Sequence, residues 1–378
     1  MRPFLTAVCA ACLIGPVSAQ TTAPAPAAGS ESPAGPAAAS SVDPGTLAVE
    51  PGEGRKVAEA LAAQLLTDFV IPANAKDYAA MLRASAAAGR YDNGTRAELA
   101  TRLTDDMLAV HKDGHLHVEL VTASGPGGRV GGKPLPPLIQ SSKWIAPGIA
   151  YIRPSAFKST PEEVAQFNAF MEEHKDAKTI IFDLRNHHGG RLGEMDAMFP
   201  YLFATKTALV KMEIARSVFD ENGSPFGQSS TLVVDKGPQM VTTTHYAVPG
   251  PVTPLRKAKV ILLTSNASAS AAEHFALAMK SSGRGILVGE ATAGANHFGG
   301  GSELNDHFAV WMPLGRSYDI KTGKDWEGTG IAPDIAVDPK LALVKALEMA
   351  GVPHGEAVRL DATEVPAEPV HKDKLAAR

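Results

Sequence analysis

The sequence predicts an α/β domain preceded by a small helical bundle. Two observations carry that expectation. Between about residues 52 and 112 apolar side chains recur at helical spacing. After Leu120 short apolar runs alternate with helical patterns, most plainly in KVILLT (259–264), a helix over about 270–282, and ILVG (286–289), which together make a β-α-β unit. The 378 residues, 44% of them hydrophobic, are enough for a sizeable core and a prior of two domains.

The chain opens like an export signal, residues 1–19. Arg2 supplies the positive start, Phe4 to Val17 an apolar stretch too short to span a bilayer, and Val17-Ser18-Ala19 a small-residue cleavage site before Gln20. Export to the periplasm or the medium is therefore expected. Cys9 and Cys12 both lie in this segment, so the mature protein is expected to have no disulfide and no cysteine metal site. A lipid anchor at Cys12 is a weaker reading, because the apolar run before it is short. Residues 20–45 are rich in Ala, Pro, Ser and Gly and cannot bury enough apolar surface to fold, which predicts a disordered linker. No later run approaches the length of a membrane span, and no stable membrane insertion is expected. A net charge of −4 without a basic tract argues against a nucleic-acid partner.

A helical domain is expected over 46–118. Val57, Leu61, Leu65 and Phe69 form one helical face, Tyr78, Met81 and Leu82 a second, and Leu99, Leu103 and Met107 a third. The α/β core is expected over 119–350. GIAYIRPSAF (148–157) contains a short strand, and TIIFDLR (179–185) reads as a buried parallel strand followed by a helix around 192–203. ALVKMEIA (208–215) and FAVWMP (308–313) add strands. The tail from 351 to 378 is polar, contains prolines and is expected to fray.

Four stretches carry chemistry. TSNASASAAEHFALAMK (264–280) turns a strand into a helix through small residues. A serine there sits at a helix N-terminus, where free N–H groups favour negative charge. Ser268 and Ser270 suit a nucleophile as well as they suit a helix cap. VHKDGHLHVEL (110–120) crowds His111, His115 and His117 together; histidine is the usual base near neutral pH, but each alone also reads as a solvated side chain. DLRNHHGG places Gly189-Gly190 after a strand, to aim backbone N–H groups into a site or to make a tight turn. GKDWEGTGIAPDI (323–335) holds Glu327 in a glycine-rich loop, as a carboxylate beside a base or as a surface residue.

Together these stretches, in this order, resemble the tail-specific (C-terminal processing) serine peptidases, especially their interphotoreceptor-retinoid-binding-protein-like and tricorn-core branch. HKDGHLHV is similar to that branch's Asp-Gly-His motif, DLRNHHGG to its Asp-Leu-Arg-Asn-x-x-Gly-Gly loop, SASAAE to Ser-Ala-Ser-Ala-Ser-Glu, and WEGTGIAPDI to its closing Glu-Gly-x-Gly-x-x-Pro-Asp motif. The resemblance covers roughly 52–340 and implies a crotonase-like α/β core. It implies Ser270 as nucleophile, His115 as base and Glu327 as the carboxylate that orients it. Ala271, Gly189 and Gly190 would be backbone oxyanion donors, and Ser268 the neighbour that shapes the turn. Where another branch carries the lysine of a Ser-Lys dyad this chain has Ala295; Lys280 does not match, and Gly114 replaces the serine that precedes the tricorn-type histidine. The Gly/Pro-rich stretch between Leu120 and Trp144 is too short for a PDZ module.

The resemblance thus implies an exported serine-type peptidase acting on peptides or unfolded protein through an acyl-enzyme, without a cofactor. A catalytically silent binder of hydrophobic ligands on the same fold is the second reading. A metal hydrolase built on His111, His115 and His117 is the third, without a matching metal motif to support it.

Overall fold

The structure, a computed structural model, describes residues 43–121, 137–366 and 369–370. The expected export signal, nearly all of the expected linker, and most of the stretch where a PDZ module is expected to be missing lie outside these residues.

Three helices come first: α1 (Glu53–Asp68), α2 (Pro72–Ala87) and α3 (Arg96–Val110). Pro72 starts α2, where its missing N–H costs nothing. A capping box of Thr95 and Glu98 starts α3. The expected faces are the buried ones: Val57, Leu61 and Leu65, then Tyr78 and Leu82, then Leu99, Leu103 and Met107 are all 0–1% exposed. They do not close a core of their own. They pack with Val118, Ile214, Val241, Phe308, Val310 and Met312, which belong to a sheet.

That sheet is antiparallel. Its strand order is β1 (His117–Leu120), β11 (Phe308–Asp319), β5 (Thr207–Ala215), β7 (Met240–Ala247), β6 (Leu232–Lys236), with β10 (His297–Glu303) also paired to β11. The boundary expected at 118/119 therefore falls inside β1, a strand of the same sheet that the helices cover. Strands β5 and β11 were legible as strands but belong here, not beside TIIFDLR.

The second sheet runs β12 (Ile335–Ala336), β9 (Ile286–Gly289), β8 (Lys259–Thr264), β4 (Thr179–Asp183), β3 (Ile149–Pro154), β2 (Ile139–Ala146). It is parallel except for the β2–β3 pair. Its central strands are buried on both faces, which is why they read as continuous apolar runs. Helices α4 (Pro161–Glu173), α5 (Gly193–Leu202) and α7 (Ala271–Ser281) fill one side, their side chains meeting Phe182, Leu262 and Met212 in one cluster. Helices α8 (Ala342–Met349) and α9 (His354–Ala362) cover the other with Ile181, Ile261 and Leu263. The short α6 (Arg216–Asn222) follows β5. Expected fraying after 350 thus gives way to a docked helix, with Ala357 fully buried.

Three adjacent parallel strands, β4, β8 and β9, end on the same side of the sheet, so the loops that follow them meet there. A buried ionic network holds the end of β4. The Asp183 carboxylate accepts bonds from Arg185 (2.8 and 2.7 Å), Tyr151 (2.7 Å) and Arg153 (3.1 Å). Burial alone would raise the Asp183 pKa, but Arg185 and Arg153 outweigh it and hold the carboxyl far below the usual range.

Candidate active site

Two of the sequence motifs are stitched together by the turn between β8 and α7. The Ser268 hydroxyl, fully buried, donates to the Leu184 carbonyl (2.8 Å) and accepts from the Ser265 N–H (2.9 Å). Ser265 Oγ donates to the Arg185 carbonyl, and the Ala269 N–H to the His187 carbonyl (3.0 Å). Ser268 is therefore spent on shaping the turn. Ser270, which follows, is the N-cap of α7 with φ 55° and ψ −115°. It is one of two non-glycine residues with positive φ among the described residues. Such a conformation costs about 1–3 kcal/mol and persists where its surroundings over-determine it.

Glu273 does much of that holding. Its buried carboxylate accepts the N–H groups of Ser270 (2.9 Å), Gly294 (2.8 Å) and Ala295 (2.9 Å) and the Thr292 hydroxyl (2.6 Å). Burial pushes its pKa up to about 6 against those four donors. The sequence does carry a sign of this role, since Ser270-Ala-Ala-Glu273 has the spacing of a capping box.

The glycine loop lies against the serine. A Cβ on Gly189 would stand 2.6 Å from Ser270 Cβ and 3.1 Å from its Oγ, and the Gly189 φ is 98°. The Gly189 N–H donates to His187 Nδ1 (3.1 Å), so in this conformation it is committed within the loop. The bridge between Phe157 and Gly190 uses Phe157 N to the Gly189 carbonyl and Arg191 N to the Phe157 carbonyl. The Gly190 N–H lies outside it. Ala271 is the first residue of α7, so its N–H has no acceptor in the helix.

His115 lies in the loop between α3 and β1. Asp113 Oδ1 shapes that loop by accepting the N–H groups of His115 (2.9 Å) and Leu116 (3.1 Å). Glu327 is close by, but its hydrogen bonds go to backbone: Oε1 accepts Gly114 N–H (2.8 Å), and Oε2 accepts Asn296 N–H (2.7 Å) and His297 N–H (3.0 Å). Among the described residues no hydrogen bond joins the His115 ring to Glu327 or to Ser270, and the buried His115 Nδ1 has no partner. Burial lowers the His115 pKa, and the Glu327 and Asp113 charges oppose that shift.

The segment 292–297 bridges the two halves. Gly294 and Ala295 bond to Glu273 beside the serine, while Asn296 and His297 bond to Glu327 beside the histidine. A Cβ on Gly114 would lie 3.7 Å from Ala295 Cβ. Position 295, where the Ser-Lys branch has its lysine, is thus at the junction and holds an alanine. Lys280 points elsewhere, to the Ala332 carbonyl (2.6 Å) and Asp334.

The three clustered histidines do not converge. His111 bonds to Asp77 (2.8 Å), and His117 to the His115 carbonyl (2.8 Å). The sequence reading missed His297, whose Nδ1 meets Asp113 Oδ2 at 2.6 Å and lies 3.9 Å from Glu327. Burial would lower the His297 pKa, but the bond to Asp113 and its charge raise it. The Asp113 and Glu327 carboxylates on either side of His297 favour its protonated form. Asp113, His297 and Glu327 each bring one possible ligand atom to within 4.8 Å of the others, the set among the described residues that could hold a metal ion.

The model of peptidase family S41 matches residues 148–337, half of the chain. A chloroplastic C-terminal processing peptidase from Tetradesmus obliquus is 27% identical over 51% of this chain and 36% of its own length. A carboxyl-terminal-processing protease from Picosynechococcus is 28% identical over 50% of this chain and 39% of its own. The chain thus spans little more than a third of the length of these relatives. Among solved structures, a candidate peptidase from Parabacteroides merdae superposes with a TM-score of 0.53 at 20% identity, covering 83% of this chain and 99% of that one. This last likeness speaks to the fold.

Proposed function

The chain belongs to peptidase family S41, and from that premise we propose that it is an exported serine-type peptidase with Ser270 as nucleophile, His115 as base and Glu327 as the supporting carboxylate. One observation carries the proposal: Ser270 is held in a strained turn at the head of α7, pressed against Gly189. The positive end of a helix dipole supports a nucleophile at that position, and the Ala271 and Gly190 N–H groups would serve a developing oxyanion.

The reaction would run in two halves. His115 takes the Ser270 proton as Oγ attacks a peptide carbonyl, and the oxyanion forms against the Ala271 and Gly190 N–H groups. His115 then protonates the departing amine, leaving an acyl-enzyme, which water hydrolyses with His115 again as base. Glu327 favours the His115 cation by its charge and steadies the neighbouring main chain through Gly114. Base and nucleophile tighten to hydrogen-bond distance as substrate binds, as catalytic contacts do between free and bound states. The names of the relatives point to protein C-termini as their substrates; for this chain the proposal is peptides or unfolded protein, without a cofactor.

The test is covalent labelling with a fluorophosphonate, read by intact mass and peptide mapping. A single adduct on Ser270, lost in His115→Ala and retained with a chelator present, supports the proposal. A folded, monodisperse sample without adduct would overturn it in favour of the silent ligand-binding reading. Loss of labelling with chelator alone would instead point to the Asp113–His297–Glu327 set.

A further inference from the structure

We propose that His274, tied through His245 to Asp196, is a positioning residue for Ser270, fixing the first turn of α7 and the strained serine against the antiparallel sheet. The proposal rests on the reading of Ser270 as the nucleophile. Glu273 anchors that turn on one side only, to the loop after β9. The other anchor is His274, one residue further on. Its backbone N–H donates to the Ser270 carbonyl (3.0 Å), so any movement of His274 is passed to the serine.

The His274 ring is held in place by a chain of bonds that runs from the buried core to the surface. Its Nε2 lies 2.9 Å from His245 Nδ1 on β7, and His245 Nε2 lies 2.9 Å from Asp196 Oδ1 on α5. The other Asp196 oxygen accepts the hydroxyls of Thr231 (3.0 Å) and Ser229 (3.3 Å). A carboxylate only accepts, so His245 Nε2 carries a proton; with that single proton on its ring, His245 Nδ1 accepts. His274 then donates from Nε2, which puts its proton on a known atom. Burial and the neighbouring His245 also hold the His274 pKa well below its ordinary value. His245 is fully buried and His274 4% exposed, so losing the bond between the two rings strands both without water. One chain of bonds thereby joins the nucleophile's helix, the antiparallel sheet and α5. Its outer end opens on a surface cavity of about 300 Å³ that Asp196 lines with Ser229, Thr231 and Tyr246.

The experiment compares fluorophosphonate labelling rates of Ser270 across pH 5–9 in the wild type, His274→Leu, His274→Gln and Asp196→Ala. Glutamine keeps a donor near the position of Nε2; leucine keeps bulk without it. His274→Leu is expected to lower the plateau rate about ten- to a hundredfold without moving the midpoint of the pH profile, the penalty of a slightly misplaced reactive group. His274→Gln is expected to stay within about threefold of wild type, and Asp196→Ala to fall between. In parallel, nitrogen NMR of the wild type should find His274 neutral with its proton on Nε2. A His274→Leu variant that labels at the wild-type rate overturns the proposal. So do equal losses in the Leu and Gln variants that track lost stability, a shifted midpoint, or a proton on Nδ1. If the leucine variant does not fold, the ordering of Gln above Asp196→Ala decides. Absence of labelling in the wild type defeats the nucleophile reading itself, and the NMR result then still reports on the chain of bonds.

Discussion

Replacing Gly189 by alanine puts a methyl group 2.6 Å from Ser270 Cβ, 3.1 Å from Ser270 Oγ and 3.0 Å from the Ala269 carbonyl. Carbon atoms in contact rest at about 3.5–4.0 Å, so the loop and the serine must part by about 1 Å. Neither has slack: Ala269 is bonded to His187, and Ser270 is held through Glu273. The new side chain would also sit at a φ of 98°, which adds about 1–3 kcal/mol of backbone strain. A displacement of about 1 Å at a reacting atom costs on the order of a hundredfold in rate. Gly189→Ala is therefore expected to lower Ser270 labelling by about that factor and stability by about 2 kcal/mol or more. The assay is fluorophosphonate labelling against time, paired with urea unfolding. Gly300→Ala is the control, because a Cβ there meets nothing within 4 Å. Labelling of Gly189→Ala within about twofold of that control would refute the reasoning, since the close approach would then have no bearing on the serine.

Two further outcomes follow from the same geometry. Glu273→Gln replaces one acceptor oxygen by an NH2 group facing N–H or O–H donors, so it should cost about 3 kcal/mol in urea unfolding and slow Ser270 labelling at least tenfold; unchanged values for both would remove Glu273 from the account of the turn. His187 is fully buried, and burial lowers its pKa to about 3. Below about pH 6.5 the unfolded chain binds a proton that the folded chain refuses, so stability falls by about 1.4 kcal/mol per pH unit from there down to pH 3. Measured against His187→Asn, which keeps an acceptor for the Gly189 N–H but does not titrate, the wild type should lose about 2 kcal/mol between pH 6.5 and 5; a flat difference would contradict a neutral, buried His187.

Local signals made much of the frame legible. An apolar face recurring at helical spacing announced α1 to α3, because burying one side of a helix imposes that period wherever the helix docks. Uninterrupted apolar runs announced β3, β4, β8 and β9, because a strand covered on both faces has no polar side. The serine at the head of α7 and the glycine pair after β4 were visible because turn geometry is set by the residues in the turn. Sequence alone thus determined the α/β class and which short stretches form the turns that carry reactive side chains.

The tertiary structure decided which distant polar groups meet. Glu327 bonds to the main chain of Gly114, Asn296 and His297 instead of to the His115 ring; Asp113 bonds to His297; Asp196 reaches His274 through His245. Each of these is a pair of groups far apart in the chain that find one another because burial makes an unpartnered polar atom costly. That requirement is met by whatever donor or acceptor the fold brings near, so it imposes no period and no fixed spacing. The same holds for sheet membership. β5 and β11 read as strands like any others, yet their places in an antiparallel sheet under the helices depend on the apolar faces they complete. A strand's own residues state that it is half buried; which surface buries it is a property of the assembled chain.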